Sequence, residues 1–165
     1  NQQYMIEALK AIGYTVETFG EVTSDKYETY PPKAIIDLSG SDSSVTAYYN
    51  AYIGVVDVVG TGIMQYKSTI FNNGSDYFGI KEINISEGIT QINTSNSSKP
   101  IFGNKLGKTT YGIPIDGVVI NLPSTLENIE DYAFQGATIK SINLPEGLET
   151  IGESAFSSAT FKMDT

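Results

Sequence analysis

The sequence predicts an α/β repeat protein, in which a β-rich, right-handed solenoid of parallel strands follows a small N-terminal module. Two observations support this prediction. Residues 122–143 and 144–165 are two copies of one 22-residue unit, LPSTLENIEDYAFQGATIKSIN and LPEGLETIGESAFSSATFKMDT. Residues 80–92 align with residues 139–151, which indicates an earlier, third copy. A fixed period in this range is typical of solenoids, in which each unit forms one coil that stacks on the next.

Residues 1–62 lack the repeat, and we predict that they form either a capping module or the remnant of an α/β domain. The apolar spacing of residues 1–12 predicts a helix that stops at Gly13. Strands are predicted at residues 14–19, 34–38 and 53–59, loops at 23–33 and 39–44, and a turn at Gly60-Thr61-Gly62. Residues 45–52 fit either a helix or a strand. A cap would shield the first coil. A full α/β domain would need a strand before the first helix, and none is predicted, so such a domain would be incomplete. Both interpretations stay open.

Residues 63–165 are predicted to form the repeats. The units are expected near residues 80–117, 118–143 and 144–165. The equivalent Ile83 and Ile120 lie 37 positions apart instead of 22, so the first unit carries 15 extra residues. We place them in the polar stretches 93–100 and 105–110, because long insertions in loops cost little closure entropy.

Each unit begins with a strand. Side chains alternate along a strand, so Ile120 and Leu122 are expected to point into the core and Val119 and Asn121 to point outwards. Pro123 ends the strand, because proline cannot donate a hydrogen bond to the ladder.

A returning segment completes each unit. The spacing of the apolar residues in 126–129 predicts one or two helical turns. Phe134 and Phe156 should stack on each other inside the solenoid, one from each coil. Gly136 allows the turn back to the next strand, and Ser158 replaces it in the second copy. We also expect no coil to fold alone, since 22 ordered residues lose on the order of 30 kcal/mol of conformational entropy.

The stretches NLPSTLENIEDYAF and NLPEGLETIGESAF resemble the BspA-like leucine-rich repeat of many bacterial and some protozoal surface proteins. Pro123, Ile129 and the pair Ala133-Phe134 match that family's unit. The resemblance extends over residues 118–165, is weaker over residues 80–92 and is absent from the first sixty residues.

Two positions depart from the family pattern. Alanine replaces the usual cysteine at Ala137 and Ala159, where it fills the same small buried slot, and Glu130 replaces the usual glycine. The resemblance implies a leucine-rich-repeat solenoid in an extracellular or cell-surface bacterial protein that attaches to host or matrix components.

The composition excludes several kinds of site. The 165-residue chain carries a net charge of −9, which disfavours nucleic acid and anionic membranes as partners. It contains no histidine and no cysteine, so disulfides, Cys/His zinc sites and histidine-based catalysis are excluded. No segment approaches the ~20 apolar residues of a membrane span. We therefore predict no enzyme, no catalytic residue, no cofactor, no metal site and no membrane insertion in this segment.

The outward strand positions form the predicted binding face. Its residues are Glu82, Asn84, Val119, Asn121, Ser141 and Asn143. The exposed faces of repeat proteins commonly bind ligands, and we expect a protein or glycan ligand here. The alternative interpretation is a solvated sheet face that carries an asparagine ladder.

Three other groups of residues have weaker functional interpretations. Acidic side chains cluster on the returning segments at Glu127, Glu130, Asp131, Glu146, Glu149 and Glu153, but no calcium-loop motif accompanies them, so a solvated face is favoured. Gly60-Thr61-Gly62 lacks the remainder of a phosphate loop. Tyr48, Tyr49 and Tyr52 form either an aromatic binding patch or, as we favour, part of the core of a cap.

The leading hypothesis is a non-enzymatic binding or adhesion module of a bacterial surface or secreted protein. The alternatives are a structural component of a larger assembly, such as a filament or virion, and an accessory repeat region of an α/β enzyme. The repeat pattern carries no polar capping unit at its C-terminal end, so we expect further repeats or self-association there, in a chain excised from a longer protein.

Overall fold

The computed structural model describes residues 34–50, 53–66, 79–94, 100–103 and 116–162. These residues form ten strands: β1 (Ala34–Asp37), β2 (Ser44–Asn50), β3 (Val55–Met64), β4 (Glu82–Ile85), β5 (Ile89–Ile92), β6 (Val118–Asn121), β7 (Asn128–Ile129), β8 (Thr138–Ile142), β9 (Thr150–Ile151) and β10 (Thr160–Phe161). None of the described segments forms a helix with the length and apolar character that a membrane crossing requires.

Two parallel ladders run along the solenoid. The first joins β3, β4, β6, β8 and β10, and the second joins the C-terminal part of β3 with β5, β7 and β9. The long strand β3 therefore belongs to both ladders and supplies both strands of the first described coil. The next three coils each contribute one strand to each ladder, as a repeat solenoid requires, and β10 adds a last strand to the first ladder. The predicted β-rich solenoid with parallel strands is confirmed.

The strand register confirms the predicted insertion. Ile83 pairs with Ile120, 37 positions later, and Ile120 pairs with Ile142, 22 positions later. Phe102 takes the place of Phe134 in the earlier coil, with five extra residues before it and ten after it. The fifteen extra residues therefore lie on both sides of residues 100–103, and their assignment to the stretches 93–100 and 105–110 stays a prediction. The proposed stretch 105–110 itself lies outside the described residues.

The stacked phenylalanines are also confirmed. The Phe134 and Phe156 rings lie 5.1 Å apart at an interplanar angle of 3°, and Phe102 stacks on the other side of Phe134 at 5.1 Å and 16°. Phe102 and Phe134 are fully buried. Phe161 of β10, in the same unit as Phe156, packs beside the end of this row with a tilted ring 6.0 Å from Phe156. One aromatic ring per coil therefore aligns the returning segments, since offset or parallel stacking at this spacing is favourable.

The predicted helical turns in the returning segments are wrong. Residues 123–136 contain short turns and the two-residue strand β7, and the described residues contain no helix. Each turn is closed by its own backbone hydrogen bond; for example, the Ala133 N–H donates to the Glu130 carbonyl. Tyr132 has a φ of 62°, in the left-handed region, so successive turns cannot join into one helix. Turns and 3₁₀ helices share the three-residue spacing that suggested the helix.

Strands β1 and β2 form an antiparallel hairpin at the edge of the first coil. Strand β2 pairs with β3 over Ser44–Asn50, and β1 pairs with β2. The predicted strand at 34–38 is confirmed, and the ambiguous stretch at 45–52 is a strand through Asn50. The predicted helix at 1–12, strand at 14–19 and loop at 23–33 lie outside the described residues, and the division of the chain at residue 62 stays a prediction.

The predicted turn at Gly60-Thr61-Gly62 is wrong, because these residues lie inside β3. The strand bends here as it passes from the first ladder to the second. Gly60 has a φ of 142°, and an added Cβ would collide with the Ser44 backbone of the hairpin. Gly62, with a φ of 86°, donates its N–H to the Gly88 carbonyl of the next coil at 2.9 Å. The glycines therefore permit a bend and a close backbone approach that other residues would resist.

Candidate functional site

The predicted binding residues lie on the outer face of the first ladder, where the register places them in two rows. Glu82, Val119 and Ser141 are aligned across β4, β6 and β8. Asn84 and Asn121 are aligned in the second row. All of these side chains are half-buried or exposed, whereas the alternating residues Ile83 and Ile120 are buried in the core.

The second row continues onto β3 through Asp57, which pairs with Asn84. Asn84 donates an Nδ2 hydrogen bond to Asp57 Oδ1 at 3.0 Å, and Asn121 donates from Nδ2 to Asn84 Oδ1 at 2.7 Å. A longer contact of 3.4 Å joins Asn121 Nδ2 to Glu82 Oε1. We call Asp57, Asn84 and Asn121 the polar row. Its side chains hold one another in fixed orientations, since each amide is oriented by its neighbour.

Sequence analysis missed Asp57. Burial raises the pKa of the Asp57 carboxyl above its ordinary value of 3.8, the hydrogen bond from Asn84 lowers it, and the nearby charge of Glu82 raises it again. The signal was present, because Val56-Asp57-Val58 alternates as Ile83-Asn84-Ile85 does in the next coil. The first coil lacks the proline and the Ala-Phe pair of the repeat, so the repeat pattern does not align Asp57 with Asn84.

The outer face also extends onto the hairpin. Tyr48 of β2 pairs with Asp57, and the exposed Ile35 of β1 pairs with Tyr48. Tyr49 points the other way and is buried in the core. Of the three tyrosines considered in the sequence, Tyr49 therefore packs in the core and Tyr48 lies half-buried beside the polar row. Tyr52 lies outside the described residues.

Asn143 has a structural role that distinguishes it from the other predicted binding residues. Its Oδ1 accepts the Leu122 N–H at 2.8 Å, and its Nδ2 donates to the Leu122 carbonyl at 2.9 Å. The amide thereby satisfies both backbone groups of the residue that precedes Pro123, where the regular ladder stops. A substitution at Asn143 would therefore disturb the stacking of two coils as well as the outer face.

Two acidic side chains of the returning segments, Glu130 and Asp131, make contacts between coils. Asp131 Oδ1 accepts the backbone N–H of Glu153 at 2.6 Å, one repeat later. Glu130 Oε1 accepts a hydrogen bond of 2.5 Å from Gln91 Nε2. In the described part of the chain, no group of three potential ligands is placed to hold a metal ion.

A further acidic residue, Glu87, links the strand ends of two coils. Its carboxylate accepts the Ser124 N–H and hydroxyl, both at 2.9 Å, and the Thr125 N–H at 3.3 Å. These hydrogen bonds lower the pKa of the Glu87 carboxyl below its ordinary value of 4.5. Sequence analysis missed this contact, because Glu87 aligns with Ser124 in the repeat and gives no sign that the two side chains meet.

Comparison with known proteins gives one family and one solved structure. The sequence model described as BspA type Leucine rich repeat region (6 copies) matches residues 117–164. A crystal structure of a leucine-rich repeat protein from Eubacterium ventriosum aligns with a TM-score of 0.48 and 21% sequence identity. The alignment covers 78% of this chain and 37% of that chain. No curated protein matches. The resemblance of the C-terminal coils to BspA-type leucine-rich repeats is confirmed over residues 117–164.

Proposed function

We propose that the chain is a non-enzymatic binding module whose recognition surface is the outer face of the first ladder. Leucine-rich repeats form protein-interaction modules, because stacked coils present an extended and regular surface. The polar row is the observation that supports this assignment. It crosses three strands and is oriented by hydrogen bonds of 2.7 and 3.0 Å.

An oriented row suits recognition for two reasons. Side chains that are already held in one rotamer lose little entropy when a ligand binds. Each asparagine also retains hydrogen-bonding capacity beyond the bonds described, since a carboxamide has two N–H donors and two lone pairs. Neighbouring strands are about 4.8 Å apart, so the row offers polar groups at a regular spacing. Val119 and Tyr48 add apolar surface beside these groups.

The biological setting proposed for this surface is attachment at the outside of a bacterial cell. The ligand would be a protein or glycan of the host or of an extracellular matrix, as the resemblance to BspA-like repeats implies. The net charge of −9 is compatible with such ligands and disfavours polyanions such as nucleic acids and anionic membranes.

A binding array of matrix proteins and glycans tests the proposal. The wild-type chain would be compared with Asn121→Arg and Ser141→Arg, two exposed positions on the outer face. Each arginine adds bulk and charge without removing a core side chain. The matched control is Thr150→Arg, an exposed position on the second ladder. We expect the first two variants to lose at least tenfold in affinity for any ligand that the wild type binds.

The control determines how the result is interpreted. Thr150→Arg should retain wild-type affinity, because Thr150 lies in β9 of the second ladder and is not part of the outer face of the first ladder. Equal losses in all three variants would indicate a general charge effect. Unchanged binding by Asn121→Arg and Ser141→Arg would show that the ligand binds another surface, and the proposal would be abandoned.

A further inference from the structure

Three lysines follow one another along the solenoid, beside the outer face of the first ladder. Lys81 and Lys140 each lie two residues before an isoleucine that pairs with Ile120, and Lys162 lies 22 residues after Lys140. All three side chains are exposed. We call these three residues the lysine column. It is a local concentration of positive charge on a chain whose net charge is −9.

A β-bulge brings Lys140 to the outer face. The register between β6 and β8 shifts by one residue after Val118, which makes Lys140 the extra residue of β8. Lys140 and Ser141 are both exposed, whereas Ile139 before them is buried. Bulges commonly re-aim a side chain in this way. An ammonium group and a hydroxyl therefore lie next to each other on the same strand.

The coil between Lys81 and Lys140 leaves a gap in the column. Its residue at this level is Gly117, which has a φ of 86°, and a Cβ added to it would lie 2.7 Å from the Lys140 backbone nitrogen. Lys81 and Lys140 are thus two coils apart, or about 10 Å at the usual spacing of neighbouring strands. Lys162 lies one coil beyond Lys140, since its N–H donates to the Ile139 carbonyl at 2.8 Å. The column therefore presents one charge, a gap without a side chain, and then a pair of charges.

The chain does not neutralise the charge of the lysine column. Within the described parts of the chain, no carboxylate forms an ion pair with any of the three lysines. Lys140 and Lys162 lie on neighbouring strands, where like charges oppose each other. Asp57 and Glu82 lie on β3 and β4, away from this pair. An anionic group bound between Lys140 and Lys162 would offset their repulsion, and such charge complementarity contributes to specific recognition.

We propose that the outer face binds an acidic glycan whose carboxylates, carried by uronic acid residues, contact the lysine column. This inference rests on the function proposed above and names the class of ligand for that surface. The glycan would lie along the solenoid axis over Val119 and Ser141, between the lysine column and the polar row. Its carboxylates would accept charge-assisted hydrogen bonds from the lysines, and its hydroxyls would exchange hydrogen bonds with the amides of the polar row.

A glycan fits this surface better than an acidic protein or a nucleic acid does. Protein interfaces are anchored by aromatic and other large side chains in buried pockets. The side chains at this end of the outer face are instead all polar, at Asn121, Lys140, Ser141 and Lys162. A glycan with one uronic acid in each disaccharide separates its carboxylates by two sugar rings, which suits lysines two coils apart. A nucleic acid strand carries one charge about every 3.4 Å, and the net charge of −9 opposes so dense a polyanion.

Titration calorimetry with oligosaccharides of hyaluronan and of unsulfated chondroitin tests the proposal on the 165-residue chain. Both carry one glucuronic acid in each disaccharide, and a chitin oligosaccharide is the uncharged comparison. We expect the wild type to bind at least one of the acidic oligosaccharides at least tenfold more tightly than the chitin oligosaccharide. Lys81→Gln and Lys140→Gln should each weaken this binding at least threefold. Both lysines are exposed, so the variants should keep the fold, which circular dichroism would check.

The matched control is Thr150→Glu, which changes the net charge by the same amount at an exposed position of the second ladder. It should bind the acidic oligosaccharides like the wild type. Equal weakening by Thr150→Glu would overturn the proposal, because net charge alone would then explain the binding. So would equal affinity for the chitin oligosaccharide, or a wild-type chain that binds neither acidic oligosaccharide.

The lysine variants also separate this inference from the proposed function. Ser141→Arg should still weaken binding of an acidic glycan, because its bulk would occupy the path of the chain between the lysine column and the polar row. A ligand that Ser141→Arg loses, but that Lys81→Gln and Lys140→Gln bind like the wild type, would leave the outer face as a recognition surface and overturn the assignment to an acidic glycan.

Discussion

Truncation of Phe134 to alanine tests the central role of the aromatic row. The side chain is fully buried and lies 5.1 Å from the rings of both Phe102 and Phe156. Phe→Ala substitutions in protein cores cost about 3–5 kcal/mol, and each aromatic pair adds about 0.5–1.5 kcal/mol beyond the buried area. Measured Phe→Ala costs already include such pairs, and Phe134 belongs to two of them, so we expect a loss at the upper end of that range, about 4–5 kcal/mol in the free energy of unfolding.

Phe156→Ala is the matched comparison, because it removes the same side chain one coil later. Phe156 is only partly buried, so less apolar surface returns to water. Its loss should cost about 1.5–3 kcal/mol. Both values would come from urea unfolding. If Phe156→Ala cost as much as Phe134→Ala, or if both cost less than about 1 kcal/mol, the argument that burial within the stack stabilises the coils would be refuted.

Three further substitutions test local features. Ser158→Gly should raise the free energy of unfolding by about 0.5–1 kcal/mol in urea titrations, because Ser158 has a left-handed φ of 57°. Asp57→Asn should raise the melting temperature at pH 7. The pKa of Asp57 is raised in the folded chain, so ionisation of its carboxyl opposes folding once the pH exceeds the ordinary value of 3.8. The gain in melting temperature should therefore vanish in melts below about pH 4. Gly152→Ala should lower the free energy of unfolding by about 1–3 kcal/mol in urea titrations, because its new Cβ would lie 2.6 Å from the Glu130 carbonyl carbon. The control Gly147→Ala should be tolerated, since its Cβ would lie 3.4 Å from the nearest atom, the Ser124 carbonyl oxygen.

The coil register could be predicted because the inward residues repeat and the chain tolerates long loops between them. Ile83 and Ile120 belong to the same strand position although 37 residues separate them. Each must enter the same core, so a slip of one residue would turn the strand's apolar side chains towards solvent. The insertion does not disturb the register, because loop length adds only slowly to the entropy of closure.

The first coil could not be predicted from the repeat, because its sequence lacks the residues of the repeat unit and is held in place by different contacts. In β3, no proline ends the strand, and the bend at Gly60 carries the chain directly into the second ladder. The hairpin strand β2 covers its free edge. Strand alternation alone placed Asp57 in a strand, but only the pairing with Asn84 reveals that it continues the polar row.

The left-handed residues of the returning segments were equally hidden. Tyr132 and Ser154 occupy equivalent positions with φ values of 62° and 56°. Neither residue type signals this conformation, which usually favours glycine or asparagine. The hydrogen bonds Tyr132 N–H to the Glu153 carbonyl and Phe134 N–H to the Ala155 carbonyl show what maintains it. The strain is offset by contacts between coils, which a single unit of sequence does not contain.

The same dependence on neighbouring coils links the stability of the solenoid to its proposed function. Asn84 and Asn121 orient each other only because Ile83 and Ile120 hold their strands in register beneath them. A core substitution that shifts one coil would therefore misalign the polar row without touching an outer side chain. The insertion between these coils does not have this effect, since lengthening a segment from 22 to 37 residues costs less than about 0.6 kcal/mol of closure entropy. Register, more than loop length, is what the recognition surface requires.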